Sequence, residues 1–314
     1  MPSVTMLRTR MIVALSILFA VVFGFFYLIF WLSGINLIIV PIVFAIMLII
    51  LQWALSSYLI TKLSKVTWIT TRSENPFLWD MVHKHAEEAG VKIERIGVSQ
   101  MLVPNAFVYG IFGAKLVVTE GLLQTLADDQ EALEGVIWHE LGHVKHGDMK
   151  LMMVLSTLPM IFYMVAFSLM WGRSRGSYAV LVGALAFGLY FLMNLGILLI
   201  SRYREYLADA YSSEKNGPYG IIRGLAKITY LNKKAIGSNA YSSSQITLKS
   251  LYIAEPEKGD VEYLKFAASL VTGDAEAKEI ILQKMKEERK KGGLELFLTH
   301  PLTVNRIIAL LEQI

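Results

Sequence analysis

Two histidines and a glutamate near the middle of the chain have the spacing of a metal-binding motif. His139, Glu140 and His143 form the pattern H-E-x-x-H. On a helix of 3.6 residues per turn, both imidazoles lie on one face about one turn apart, so both can reach one ion. Such an ion acidifies water and polarises a carbonyl, while Glu140 accepts the water proton and passes it to a leaving amine. The motif therefore predicts the chemistry of a zinc hydrolase.

A catalytic zinc usually has three protein ligands, so a third ligand is needed. His146 lies about 10.5 Å from His139 along a straight helix axis, too far for three side chains on one helix to close around an ion. A histidine six residues after the second one is excluded because position 149 is Met149. Glu205 and Asp209 stand one turn apart on a later predicted helix. Glu205 could supply the third ligand, and Asp209 could accept a hydrogen bond from a ligand histidine.

The remaining histidines of the first half are interpreted as lying outside the metal site. His83 and His85 lie in a polar helix end without a carboxylate at ligand spacing, so we expect both on the surface. His146 is expected to be a juxtamembrane or surface residue.

The elements that must position these residues include membrane spans. Of the 314 residues, 54% are hydrophobic and only 18% charged, which is too apolar for an ordinary soluble domain. Four charge-free stretches are long enough to span a bilayer as helices; they cover residues 11–32, 37–60, 151–171 and 178–200. They divide the chain into four regions. Residues 1–60 are an N-terminal transmembrane hairpin, and residues 61–150 are a first part of the catalytic domain with the H-E-x-x-H helix. Residues 151–200 are a second transmembrane hairpin, and residues 201–314 are a second part of the catalytic domain.

The basic residues predict the orientation. Arg8 and Arg10 precede the first span, and Lys62 and Lys65 follow the second, so both segments are expected in the cytoplasm. Arg173 and Arg175 lie between spans three and four and fall on the opposite side. Because this conflicts with the rule, a hairpin that is only partly inserted is an alternative for residues 151–200.

Charge and cysteine content exclude other classes of function. The chain has no cysteine, which excludes disulfides, thiol nucleophiles and Cys-ligated metals. Its net charge of +4 comes from Lys and Arg that flank the apolar stretches rather than cluster on one face. We therefore expect contact with a lipid bilayer and no nucleic-acid partner.

The order of these motifs resembles the membrane zinc metalloproteases of the HtpX heat-shock type, a family related to the CAAX prenyl-protein endopeptidases. The resemblance covers most of the chain; it includes the N-terminal spans, H-E-x-x-H, the second hairpin, the S-R-x-x-E-x-x-A-D segment at 201–209 and the segment 299–306. It implies an α-helical membrane protein with four transmembrane helices and an α+β zincin-like (gluzincin) catalytic domain. It also implies one Zn²⁺ per chain, held by His139, His143 and Glu205, with Glu140 as catalytic base and Asp209 behind the ligands.

Two further regions become candidates within such a protease. Residues 103–109 and 115–119 are β-rich and flank a glycine-containing turn, which predicts a hairpin before the active-site helix. An edge strand of this kind can pair with an extended substrate, so Asn105 and Phe107 are candidate substrate-binding residues. His300 and Arg306 lie near a predicted helix start, and either could donate to the oxyanion that forms on the attacked carbonyl. Arg306 could equally pair with a carboxylate of the fold.

The function expected is that of an integral membrane zinc endopeptidase of the cell membrane, with its site facing the cytoplasm. Its protein substrates would be membrane or misfolded proteins, in a stress response that serves protein quality control. One alternative is a CAAX-type prenyl-protein processing peptidase. Another is a non-catalytic membrane scaffold with a structural zinc site, which the presence of Glu140 argues against because a structural site needs no general base.

Overall fold

The computed structural model describes most of the chain. The described residues are 4–33, 47, 50–51, 55–110, 113–171, 177–237, 253, 264, 279, 281–283, 285–287 and 300–312. Most of the predicted second span at 37–60, together with the loop residues 34–36 and 172–176, lies outside them.

Four short strands form one mixed sheet; they are β1 (Val66–Ile69), β2 (Ile93–Ser99), β3 (Ala106–Tyr109) and β4 (Ala114–Thr119). The order across the sheet is β1-β2-β4-β3, so β3 is an edge strand among the described residues. β2 and β4 are parallel, whereas β3 and β4 pair antiparallel, with Phe107 opposite Val117. The predicted hairpin is thus present.

Five α-helices lie outside the membrane hairpins among the described residues. They are α2 (Pro76–Ala89), α3 (Glu120–Thr125), α4 (Gln130–His146), α7 (Pro218–Gly237) and α8 (Thr303–Leu311). The motif helix α4 starts after Asp129, whose carboxylate accepts a hydrogen bond from the Ala132 N–H at 3.1 Å. It ends at Gly147, which has a φ of 71° and so adopts a left-handed conformation that favours glycine.

Among the residues that the structure describes, three helices are long and apolar enough to cross a membrane; they are α1 (Val4–Ser33), α5 (Asp148–Trp171) and α6 (Ser177–Asn216). The third and fourth predicted spans correspond to α5 and α6. The prediction ended the fourth span at residue 200, but α6 continues to Asn216 and has 40 residues. At 1.5 Å per residue it is about 60 Å long, twice the thickness of a hydrocarbon core of about 30 Å.

Of the two main hydrophobic clusters, one lies among the membrane-length helices and the other among the elements outside them. One joins α1, α5 and α6 through residues such as Phe25, Phe162 and Met193. The other contains residues from both sides of the second hairpin, including Ile137 of α4 and Ile221 of α7. These helices approach closely at Gly135, where an added Cβ would lie 2.6 Å from the backbone nitrogen of Ile221. Residues before and after the hairpin therefore share one core.

Candidate metal centre

The motif helix α4 and the long helix α6 bring the predicted ligands together. His139 and His143 lie on α4, and Glu205 lies on the part of α6 that follows the apolar segment. The two helices pack closely beside Gly142, where a Cβ would be only 3.2 Å from the Cα of Ala208. A larger residue at that position would separate the histidines from the glutamate.

The ligand atoms converge on one buried point. His139 Nε2 lies 3.5 Å from Glu205 Oε2, and His143 Nε2 lies 3.5 Å from Glu205 Oε1. One ligand atom from each of the three residues falls within 4.8 Å of the other two. This grouping of two imidazole nitrogens and one carboxylate oxygen is a donor set that suits a divalent transition metal.

A carboxylate holds the far nitrogen of each histidine. His139 Nδ1 lies 2.9 Å from Asp209 Oδ1, and His143 Nδ1 lies 2.7 Å from Asp148 Oδ2. Because a carboxylate only accepts, each Nδ1 carries a proton, and Nε2 is the nitrogen that faces Glu205 and is left to bind a metal ion. The structure thus places Asp209 where the sequence predicted it.

The sequence interpretation missed Asp148. This residue begins α5, directly after the break at Gly147, and its carboxylate is almost fully buried. Arg204 forms an ion pair with it, with 3.1 Å between Nε and Oδ2. The signal available in the sequence was an acidic residue five positions after His143, followed by a charge-free stretch.

The residues present fit a metal ion. His139 Nε2 and Glu205 Oε2 are buried, yet neither forms a hydrogen bond with any residue that the structure describes. Their contacts are long ion pairs, 3.5 Å between the two atoms and 3.4 Å from Glu205 Oε2 to Arg306 Nη1. Buried polar atoms without a hydrogen bond are costly, so they indicate a group that binds there. Burial opposes protonation of His139, but the carboxylates of Asp209 and Glu205 outweigh it and raise the pKa of His139 to about 9. The centre therefore attracts positive charge.

Glu140 lies beside this group and is itself buried, with 3% of its surface exposed. Burial raises the pKa of Glu140 to about 8, and the negative charge of Glu205 adds to the rise. The backbone N–H of Val108, on the edge strand β3, donates a hydrogen bond to the Glu140 carboxylate. Glu140 is thus held between the ligand group and the strand.

The two C-terminal candidates occupy different positions. His300 lines the cavity beside the ligands, and its Nδ1 lies 3.3 Å from Glu205 Oε1. Arg306 is fully buried and donates two hydrogen bonds to Asp209, at 2.7 Å from Nε and 2.6 Å from Nη2. It also donates to the backbone oxygen of Ile253. Arg306 therefore contacts the carboxylate that holds His139.

The two strand candidates also differ. Phe107 is buried and lines a cavity of about 410 Å³ that contains Glu140 and the ligands His143 and Glu205. Asn105 is fully buried behind that cavity, and its amide oxygen accepts a hydrogen bond from the Ile253 N–H at 2.9 Å. Ile253 in turn lines the cavity. Phe107 thus contacts the cavity directly, and Asn105 supports its wall.

The other histidines lie outside the ligand group. His83 is exposed as expected, but the expectation for His85 was wrong, since its side chain is buried against Trp138 with ring centroids 4.6 Å apart. The amphipathic helix α2 turns this position toward the core. His146 is half-buried, and its ring lies 5.9 Å from that of Tyr211.

The sequence of this chain is similar to the sequences of known proteins. The model of Peptidase family M48 matches residues 72–314. A Protease HtpX homolog of Methanothermobacter thermautotrophicus is 33% identical over 228 residues, which cover 71% of this chain and 85% of that protein. A Protease HtpX homolog of Picrophilus torridus is 31% identical over 69% of this chain and 72% of that protein. A Protease HtpX homolog of Aeropyrum pernix is 29% identical over 294 residues, which cover 88% of this chain and 86% of that protein.

A solved structure, the crystal structure of S. mikatae Ste24p, superposes on 96% of this chain and 65% of that chain with a TM-score of 0.48 and 17% identity. The family match, in contrast, spans well over half of this chain and includes all three ligands. Together with the membrane-length helices and the buried ligand group, it shows that the chain belongs to peptidase family M48 and is a membrane metalloprotease.

Proposed function

We propose that this chain is a zinc-dependent endopeptidase of the cell membrane, with its active site facing the cytoplasm and with membrane or misfolded proteins as substrates. One observation carries the proposal, namely that His139, His143 and Glu205 converge next to the buried carboxylate of Glu140. A structural metal site would need the three ligands but no adjacent general base.

Three residues would hold one zinc ion, namely His139, His143 and Glu205. Zinc in such a site supplies Lewis acidity, because it acidifies water and polarises a carbonyl. Asp209 and Asp148 keep the two imidazoles in the tautomer that binds metal. Arg306 acts through Asp209 as a positioning residue.

Glu140 would move the proton. Its environment favours the neutral acid, whereas a nearby cation favours the carboxylate that a general base needs. A group of that kind can take a proton from the attacking water and return it to the leaving amine. The hydrogen bond from the Val108 N–H fixes the carboxylate while it does so.

Substrate would bind along the edge strand β3 and against Phe107. An extended peptide can add to an exposed strand edge through main-chain hydrogen bonds. His300 lines the same cavity and would donate to the oxyanion of the attacked carbonyl. Asn105 would support this strand through its bond to Ile253.

The proposed architecture is a zincin-like (gluzincin) catalytic domain formed by residues 61–150 and 201–314, with four transmembrane helices at 1–60 and 151–200. The core shared by α4 and α7 supports one catalytic domain. The three described spans support the membrane part, and the predicted second span would be the fourth.

The test compares three proteins purified in detergent, for both zinc content and casein cleavage. Wild type should bind one zinc and cleave casein. Glu140→Gln should keep the zinc and lose cleavage by at least about 100-fold, the lower range for a general base. Glu205→Ala should lose both. Glu134→Gln, on the same helix but partly exposed, is the control and should behave as wild type. Undiminished cleavage by Glu140→Gln would refute the proposal.

A further inference from the structure

The cavity at the metal centre continues between the two helices of the second hairpin. We call this continuation the lower cavity. Its walls are Met149, Met152, Met153 and Ser156 of α5, and Ile197 and Leu198 of α6. The three methionines and the serine follow one another at helical spacing, so they form one face of α5. Glu140, His143 and Glu205 line the upper end of the same cavity.

Residue counts along α5 and along α6 give the same depth for the lower cavity. Ser156 lies eight residues after Asp148 on α5, and Ile197 lies eight residues before Glu205 on α6. At 1.5 Å per residue, each count places the far end about 12 Å from the ligand group. That distance is longer than a small side chain needs and reaches into the apolar part of both helices.

The charges along the cavity are separated from its apolar end. The described lining residues with a charge or an imidazole all lie near the ligands; they are Glu140, His143, Asp148, Arg204, Glu205 and His300. The described walls contributed by α5 and α6 below them are methionine, isoleucine, leucine and serine, and Ser56, Ser57 and Ile60 also line the cavity. The hydroxyl of Ser156 already donates to the Met153 backbone oxygen at 2.9 Å. A charged group placed there would lose its water and find no oppositely charged side chain among the described lining residues, which is unfavourable.

We propose that the lower cavity is the specificity subsite of this protease and that it receives a large, uncharged apolar side chain next to the scissile bond. The inference rests on the proposed function, since it assigns a substrate preference to the same site. The occupant follows from continuity with Glu140 and the ligands, because a peptide held at that point has a side chain facing the lower cavity. Methionine side chains adapt to different shapes, so the subsite accepts several apolar residues and not a single one.

The experiment profiles the cleavage sites in casein for the full-length, zinc-loaded protein in detergent, by mass spectrometry. At one position flanking the cut, wild type should prefer Leu, Ile, Met or Phe over Ala by about 10-fold or more, since a pocket gains at least that for an added methylene. Asp, Glu, Lys and Arg should be disfavoured more strongly at that position.

Two variants change the size of the subsite. Met153→Trp fills it and should move the preference toward Ala and Gly by about 10-fold. Met153→Ala enlarges it and should move the preference toward Phe and Trp; this variant decides the question if Met153→Trp does not fold. Met164→Trp is the matched control, because Met164 lies on the same helix, is 37% exposed and does not line the cavity. It should keep the wild-type profile.

The outcomes separate this inference from the proposed function. If Glu140→Gln abolishes cleavage but the wild-type profile shows no apolar preference at either flanking position, the subsite is wrong and the protease assignment stands. An unchanged profile in a folded Met153 variant also overturns the subsite. If Glu140→Gln cleaves as well as wild type, the proposed function itself fails.

Discussion

Asp148 shows how one residue connects the metal centre to the membrane. It accepts a hydrogen bond from the ligand His143, pairs with Arg204 of α6 and is the first residue of α5. A carboxylate in that position raises the basicity of the imidazole and prevents the ring from turning. The orientation of one ligand thus depends on where a membrane helix begins.

Replacing Asp148 should weaken zinc binding without removing a ligand. For Asp148→Ala we expect zinc affinity to fall about 10- to 100-fold, the usual effect of losing such a partner. Asp148→Asn keeps an accepting oxygen, so its zinc affinity should lie between those of wild type and Asp148→Ala. Competition with a chromogenic chelator measures the affinity. Asp128→Ala, whose side chain is 83% exposed, is the control. Equal affinities for wild type and Asp148→Ala would show that Asp148 does not position His143.

The sequence predicted the grouping of His139, His143 and Glu205 better than the contacts that support these residues. H-E-x-x-H fixes two ligands by helical periodicity, and Glu205 with Asp209 forms a second pair at one-turn spacing. Asp148 contacts His143 only because the chain turns at Gly147, and such a contact has no periodic pattern in the sequence. Arg306 similarly reaches Asp209 across 97 positions of sequence.

Among the elements, α4 is held at its N-terminus by α7. Asp129 caps α4, and its carboxylate accepts two hydrogen bonds from Arg223 of α7, both at 2.9 Å. Lys227 of α7 contributes a further bond at 3.1 Å. Burial opposes the charged form of Asp129, but hydrogen bonds from Arg223 and Lys227 outweigh it and lower the pKa of Asp129 to about 2. The negative charge therefore stabilises the fold.

The stabilisation by Asp129 should depend on pH. Because the folded pKa is about 2 and the ordinary value for an unfolded aspartate is 3.8, the charge contributes fully above pH 3.8 and its contribution is lost as the pH falls toward 2. Asp129→Asn keeps a capping side chain but loses the charge. We expect it to lower the free energy of unfolding by about 1 kcal/mol near neutral pH, since these ion pairs are partly exposed.

Thermal unfolding in detergent between about pH 7 and pH 2 measures this dependence. The difference between wild type and Asp129→Asn should be constant above about pH 4 and shrink below it. Asp128→Asn serves as the comparison and should differ little from wild type at any pH, because Asp128 is exposed. A difference that grows as the pH falls would contradict the assigned role.

Element boundaries were harder to predict than the elements themselves. The hairpin of β3 and β4 was predicted because two β-rich runs flank a turn with glycine. The end of α6 was not, since the apolar run stops at residue 200 while the helix continues through its polar part to Asn216. Hydropathy reports where the surroundings change, whereas the backbone remains helical across that change.

For the whole molecule, this continuity makes α6 both a membrane helix and the carrier of Glu205 and Asp209. The helix is about 60 Å long, and a bilayer core accommodates about half of that length. The ligand Glu205 follows the last residue of the apolar run, Ile200, by five residues, about 7.5 Å. The metal centre therefore lies next to the membrane border, and its ligands cannot move far from the bilayer while α6 stays inserted.

In the proposed topology both helices of the second hairpin cross the membrane completely, and the absence of cysteine makes this testable without background labelling. Single cysteines would replace the exposed residues Ser73 and Glu214, and Ser174 between α5 and α6. With a maleimide that cannot cross membranes, Ser174→Cys should react in intact cells. Ser73→Cys and Glu214→Cys should react only after permeabilisation, because the positive-inside rule places both in the cytoplasm. If Ser174→Cys instead reacts only together with the other two, the hairpin enters and leaves the membrane on the cytoplasmic side, Arg173 and Arg175 obey the charge rule, and α5 and α6 do not span the bilayer.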